Sequence, residues 1–458
     1  MTIPTPRRLL TLCLTCVLIT SAIVSRLEAQ TLARPGWVGS GINTDVWWKH
    51  AIVYEVNPIN FSPTDGSGLH GVAQRLDYIQ SLGADALLLT PIQPDAAHAQ
   101  SIDPAYGTLD DLDDLIHEAS RHNIRVVLDL DPNIPAADLP NVARFWLNRG
   151  IAGFHVSGVT PEAHAQAAAF RKAMGSYLGQ RILIGDVDPS LPSSPQQRTY
   201  KASDTQTAQL LLDASLGAVT PLNPAAIRSA IESTENILQA GHSMPLLATD
   251  GPSFQRSMSR YADGKNNLAI AKLLATILFT TRAQPLLYYG QELGVATPQS
   301  TESTTATPLI VWDAPPPPPK GKPAAPPEPE TANATPNAAL EDADPKSLLN
   351  WYRRLIELHH SNATINSGEY LTINRDDQNV LIIIRKPKAV SPTNPILVIL
   401  CNLSDKPAPL SIKTDTMKLH LRGSFLRTVL RTDKGMGTMH LESMTLPPYT
   451  AYIGELRF

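Results

Sequence analysis

From Trp47 onward the chain alternates short, continuously apolar runs with stretches whose apolar positions recur at helical spacing. The runs predict strands at Ala51–Val56, Ala86–Thr90, Ile124–Leu130, Ile151–Val156, Arg181–Val187, Leu246–Thr249 and Pro285–Tyr289, with a weaker one at Ala214–Thr220. Between them the spacing predicts helices over Leu69–Leu82, Asp110–Arg121, Ala136–Asn148, Pro161–Tyr177, Ile227–Ile237 and Asn266–Phe279. Strands that are apolar on both faces and separated by helices belong in a parallel sheet covered by helices. Eight such units fit a closed (β/α)8 TIM barrel, with a site where the strands end. Asp344–His360 reads as the closing helix, with Asp344 and Pro345 suited to its start. Beyond Gly368 the runs at Tyr370–Ile373, Asn379–Arg385, Ile396–Asn402 and Tyr449–Arg457 predict a C-terminal antiparallel β-sandwich.

Composition adds boundaries to this pattern. The chain has 458 residues and 40 prolines, and the tract 314–345 is too rich in proline to pack, so it reads as an excursion from the barrel. The expected organisation is a leader at 1–29, a linker at 30–44, the barrel over 45–360 and the β domain over 361–458. Residues 1–29 carry Arg7 and Arg8 before a sixteen-residue apolar run, Leu9–Val24, which reads as an export signal or an uncleaved anchor. Either reading sends the bulk of the chain to a periplasmic or extracellular location. Cys13 and Cys16 lie in that leader, leaving Cys401 alone in the folded part, which excludes an internal disulfide there. A net charge of -4 offers no field for nucleic acid. Neither a phosphate-cradling glycine loop nor histidines at ligand spacing occur, so no metal or other cofactor is called for.

Several segments carry a resemblance. Trp47–Tyr54 (WWKHAIVY), Leu76–Asp85 (LDYIQSLGAD), Tyr106–Leu115 (YGTLDDLDDL), Asp129–Asn133 (DLDPN) and Gln284–Gly294 (QPLLYYGQELG) resemble the α-amylase family of glycoside hydrolases and transglycosylases. The resemblance implies a barrel followed by a β domain. It places Asp129 and Asn133 at the third strand, the nucleophile and its orienting arginine at the fourth, the general acid at Asp186, and a sugar-binding carboxylate at Asp250. At the fourth strand, however, Gly150–Val159 reads GIAGFHVSGV, so the nucleophile position is Ser157 and the arginine position is His155. The expected histidine after Asn133 is Ile134, the general acid is Asp rather than Glu, and Ser253 stands for the arginine beyond Asp250. The loop that holds a terminal sugar is missing before Ile102, and the inserted domain after the third strand is absent.

A retaining glycosidase needs two carboxylates flanking the bond it cleaves. A serine without an activating partner cannot replace one of them. Although Ser157 and His155 point to the same face of a strand, no nucleophile elbow accompanies them. The losses are similar to those of the heavy-chain ectodomains of heteromeric amino-acid transporters, which Ile102–Thr108, Ile124–Asn133 and Glu341–Leu349 also resemble. The expectation is an exported barrel protein without ordinary glycosidase activity, acting in carbohydrate binding or protein docking. The alternative is a divergent α-glucan or α-glucoside hydrolase using Asp186 and Asp250. Partners to consider are an oligosaccharide or α-glucan and an envelope protein.

Overall fold

The computed structural model describes residues 46–62, 68–187, 208–240, 243–297, 310–314, 335–435 and 437–458. The leader, the linker and most of the proline tract lie outside the described residues. Residues 47–458 form one compact unit.

Eight parallel strands close into a barrel in chain order. They are β1 (Val53–Val56), β2 (Ala86–Leu89), β3 (Arg125–Leu130), β4 (Gly153–Val156), β5 (Ile182–Asp186), β6 (Leu210–Asp213), β7 (Met244–Ala248) and β8 (Gln284–Tyr288). Strand parity sorts their side chains. Val53, Ala86, Leu88, Val127, Ile184 and Leu286 fill the barrel interior. Neighbours one position on, such as Tyr54, Leu87, Leu128 and Phe154, pack outward against the helices. This is the alternation a closed sheet requires. Gly153 permits the close approach of β4 to β5, since a Cβ there would stand 2.1 Å from the Ile182 carbonyl oxygen.

The surrounding helices are α1 (Leu69–Ala73), α2 (Leu76–Leu82), α3 (Leu109–Arg121), α4 (Leu139–Asn148), α5 (Pro161–Met174), α6 (Pro224–Ala240), α7 (Ser257–Arg260) and α8 (Asn267–Thr280). Local chemistry starts several of them. Thr108 and Asp111 form a reciprocal capping box on α3, and Thr160 with Pro161 begins α5. The stretch expected as one helix over Leu69–Leu82 is broken at Gln74 and Arg75. The break lets α1 pack on α3 while α2 meets the closing helix. Only residues 131–138 join β3 to α4, so there is no inserted domain.

Two expectations need correction. The sixth strand is Leu210–Asp213, and Ala214–Thr220 is the turn that follows it. The closing helix begins at Leu348, capped by Ser347, which accepts from the Asn350 amide. Asp344 instead ends a short helix, α9 (Ala338–Ala343), and the closing helix α10 runs Leu348–Ser361.

The C-terminal part is antiparallel. It comprises β9 (Glu369–Ile373), β10 (Val380–Lys386), β11 (Leu397–Asn402), β12 (Ala408–Leu410), β13 (Phe425–Arg431), β14 (Met439–His440), β15 (Met444–Leu446) and β16 (Ala451–Arg457). Six strands form one sheet in the order β14-β13-β16-β11-β10-β9, and β12 pairs with β15 in a second. One face of the large sheet, including Leu381, Ile383, Ile399 and Cys401, shares the core of the barrel's helical layer. The other face, including Ile382, Val398, Leu400 and Tyr452, packs toward the small sheet.

Candidate functional site

At the C-terminal end of the barrel the apolar interior gives way to a polar layer. Strand parity continues the inward positions of β1, β3, β4 and β5 into Glu55, Asp129, His155 and Asp186. His155 is the centre of this layer. Its Nε2 lies 3.0 Å from Asp186 Oδ1, and its Nδ1 lies 3.3 Å from Asp129 Oδ2. The second is a charge contact rather than an aligned hydrogen bond. Asp186 Oδ2 accepts from the Gly158 amide at 2.7 Å. Ser157 Oγ donates to Asp129 at 3.0 and 3.2 Å, and not to His155.

The protonation states follow from these contacts. Burial opposes a charge on His155, but Asp129 and Asp186 outweigh it and hold the imidazole pKa well above its ordinary value. Burial likewise works against the Asp186 carboxylate, yet the His155 and Gly158 hydrogen bonds keep its pKa below the usual value. Near neutrality the layer therefore holds an imidazolium between two carboxylates.

Glu55 was not singled out from the sequence, where it sits inside the apolar run of β1. It is 5 % exposed. Burial raises its pKa to about 7, with His155 opposing and Asp129 and Asp186 adding to the rise. The readable signal was a lone acid two residues after Val53, on the inward side of a barrel strand.

Other predicted site residues are placed elsewhere. Asp250 follows β7 but is 1 % exposed, and its carboxylate accepts from the Ser257 amide at 2.8 Å and from Ser257 Oγ at 3.0 Å. It ties α7 to the barrel, with Arg260 at 3.9 Å, so its oxygens are already engaged. Asn133 does not join Asp129. It is exposed and bonds to Asp131 within its own loop, through backbone and side-chain nitrogens at 2.8 and 2.9 Å. Glu292, in the QELG turn after β8, accepts from Tyr54 and Tyr78 at 2.7 Å and is a buried structural carboxyl.

Where the resemblance leads one to expect a nucleophilic carboxylate stands the Ser157 hydroxyl, which donates its hydrogen bond to Asp129. Where it leads one to expect the general acid stands Asp186, whose contacts favour the ionised form. A double displacement would need a free carboxylate at the first and a proton at the second. Among the described residues no group of three or more His, Cys, Asp or Glu is arranged to hold a metal ion. No helix among them is long and apolar enough to cross a membrane.

Comparison with known proteins fits this architecture. A family described as "Alpha amylase, catalytic domain" matches residues 55–139. The rabbit (Oryctolagus cuniculus) amino acid transporter heavy chain SLC3A2 is 25% identical over 349 residues, 71% of this chain and 61% of its own length. The trehalose-6-phosphate hydrolase of Escherichia coli (strain K12) is 44% identical over 95 residues, 18% of this chain and 17% of that one. A probable alpha-glucosidase of Rhizobium meliloti (strain 1021) is 24% identical over 471 residues, covering 70% of this chain and 84% of its own. Among solved structures, isomaltulose synthase from Klebsiella sp. LX3 superposes with a TM-score of 0.70 at 18% identity. That match covers 91% of this chain and 100% of the other. The heavy-chain likeness stays distant. Residues 55–139, the part that resembles an α-amylase catalytic domain, run from β1 to the start of α4.

Proposed function

We propose that the protein is an exported, carbohydrate-directed α-amylase-type barrel that binds α-glucosides at its mouth without ordinary retaining hydrolysis. The observation that carries this reading is the closed set of contacts around His155. Ser157 stands where a nucleophilic carboxylate is needed, and both oxygens of Asp186 have partners that keep it ionised. Neither half of a retaining displacement is available in that state.

The relatives give a specific reason to keep a second reading, a divergent α-glucoside hydrolase. Their names, trehalose-6-phosphate hydrolase and probable alpha-glucosidase, support carbohydrate chemistry more than a purely docking role. In that reading the buried Glu55, with its pKa near 7, is a better proton source than Asp186.

Calorimetric titration with maltose, isomaltose and trehalose, paired with chromatographic assay of released glucose from acid to alkaline pH, separates the two. Saturable binding without release is the expected result. Release that disappears in Asp186→Asn or Glu55→Gln establishes the hydrolase instead. Neither binding nor release would remove carbohydrate from the proposal altogether.

A further inference from the structure

A second concentration of charge, with Arg228 and Arg385 buried and Arg375 exposed at its edge, lies away from the barrel mouth, where α6 meets strands β9 and β10. Four guanidinium groups, Arg228, Arg282, Arg375 and Arg385, share the two glutamates of α6, Glu232 and Glu235. The glutamates are already engaged. Arg282 makes a forked pair with Glu235, and Arg375 pairs with Glu232 at 2.8 Å. Arg385 and Arg228 are left. Arg385 is 0 % exposed, its Nη1 stands 3.8 Å from a Glu235 oxygen, and its Nη2 donates to the Ile365 carbonyl. Arg228 is 4 % exposed and donates only through Nη1, to the Arg375 carbonyl at 2.8 Å.

Four buried donor nitrogens on these two side chains have no hydrogen-bond partner, Nε and Nη2 of Arg228 and Nε and Nη1 of Arg385. Tyr370 connects them. It is the cross-strand partner of Arg385 and lies within electrostatic reach of Arg228. The remaining acid in reach of Arg228 is Asp376, which is exposed. An unpaired buried charge is costly, and an unpaired buried donor adds to that cost. An excess of guanidinium donors around a phenol is the chemistry of an anion site.

We infer that the junction of α6 with the C-terminal sheet binds a small inorganic anion of halide size, held between Arg228 and Arg385 beside the Tyr370 hydroxyl. Burial of both side chains, Arg385 fully and Arg228 nearly so, favours a small anion over a bulky one. Bound there, the anion supplies the charge that the two glutamates lack and joins the barrel to the sheet. It acts as a structural ligand, independent of whatever the barrel mouth binds.

The test uses the purified protein at constant ionic strength, with sodium chloride replaced stepwise by sodium gluconate, a bulky organic anion, as the control. Chloride is expected to raise Tm saturably by about 2–5 °C. Arg385→Gln and Arg228→Gln should lose that dependence. A crystal soaked in bromide reads the same site without any variant, so the proposal stays testable if the variants fail to fold. An anomalous peak between the two guanidinium groups is expected. A Tm indifferent to chloride, or a bromide soak with no peak at this junction, overturns the proposal.

Discussion

At the scale of single residues, the acids around His155 differ in what they do to stability. Glu55 has a folded-state pKa of about 7 against an ordinary 4.5. Between those values the folded protein binds the extra proton, so stability falls as pH rises through that window. Glu55→Gln stays neutral and should match wild type near pH 4.5, then gain on it, levelling above pH 7. The full difference is about 1–3 kcal/mol, bounded by the size of the shift. Urea unfolding at stepped pH measures it, and a difference that does not change with pH would contradict the assignment. The same two carboxylates, Asp129 and Asp186, raise the His155 pKa, and its pH dependence has the same sign. Its raised pKa contributes stability fully below about 6.5, lost as pH climbs through the higher folded value. His155→Leu leaves Asp129 and Asp186 facing each other across a buried gap and should cost about 3–5 kcal/mol near neutrality. That loss should shrink in acid, where the carboxylates take up protons; a loss that stays constant from neutral pH into acid would show that repulsion is not its cause.

The elements show why some of this was legible and some was not. Strands buried on both faces are continuous apolar runs, so seven of the eight barrel strands could be located from hydrophobicity, as could the helices between them. The sixth strand, Leu210–Asp213, is short and its run merges with the apolar turn after it, which drew the expectation toward Ala214–Thr220. Strand β13 is not legible because Arg427, Thr428 and Arg431 break its apolar run into pairs and most of it is half-buried. Ser157, His155, Asp129 and Asp186 could be brought together because β3, β4 and β5 are adjacent in register. Asp250 looked equivalent by position, but its partner Ser257 lies seven residues on in α7, and no strand pattern reveals that turn. Gly153 tests the register itself. Its missing side chain lets β4 reach β5, with Ile182 Cγ1 2.7 Å from where a Cβ would sit and the Ile182 carbonyl closer still. Gly153→Ala should destabilise by about 1–3 kcal/mol through overpacking. It should also loosen the His155–Asp186 pair carried by those two strands, moving the His155 imidazole NMR titration toward neutral pH. An unchanged titration in a destabilised variant would separate the packing from the site.

For the whole molecule the question is whether barrel and sheet are independent. Several features tie them. The helical layer and one face of the large sheet share a single core, and Glu235 of α6 reaches both Arg282 ahead of β8 and Arg385 on β10. Cys401 lies inside that shared core on β11, fully buried, with burial pushing its thiol pKa up to about 12. A protonated, enclosed thiol does not react with a disulfide reagent until the surrounding core opens. In a Cys13→Ser, Cys16→Ser background Cys401 is the one thiol in the chain. Its labelling should then follow the same urea midpoint as tryptophan fluorescence, to which the buried Trp146 of the barrel contributes. Coincident transitions are the signature of one cooperative unit. Labelling that begins well below the fluorescence midpoint would mean that the sheet opens while the barrel stays folded. Glu235→Gln sharpens the test. Removing that carboxylate leaves Arg282 and Arg385 without their shared partner and should lower stability by about 3–5 kcal/mol. If barrel and sheet fold as one body, both midpoints move down together; if the glutamate serves only the barrel, the fluorescence midpoint moves alone.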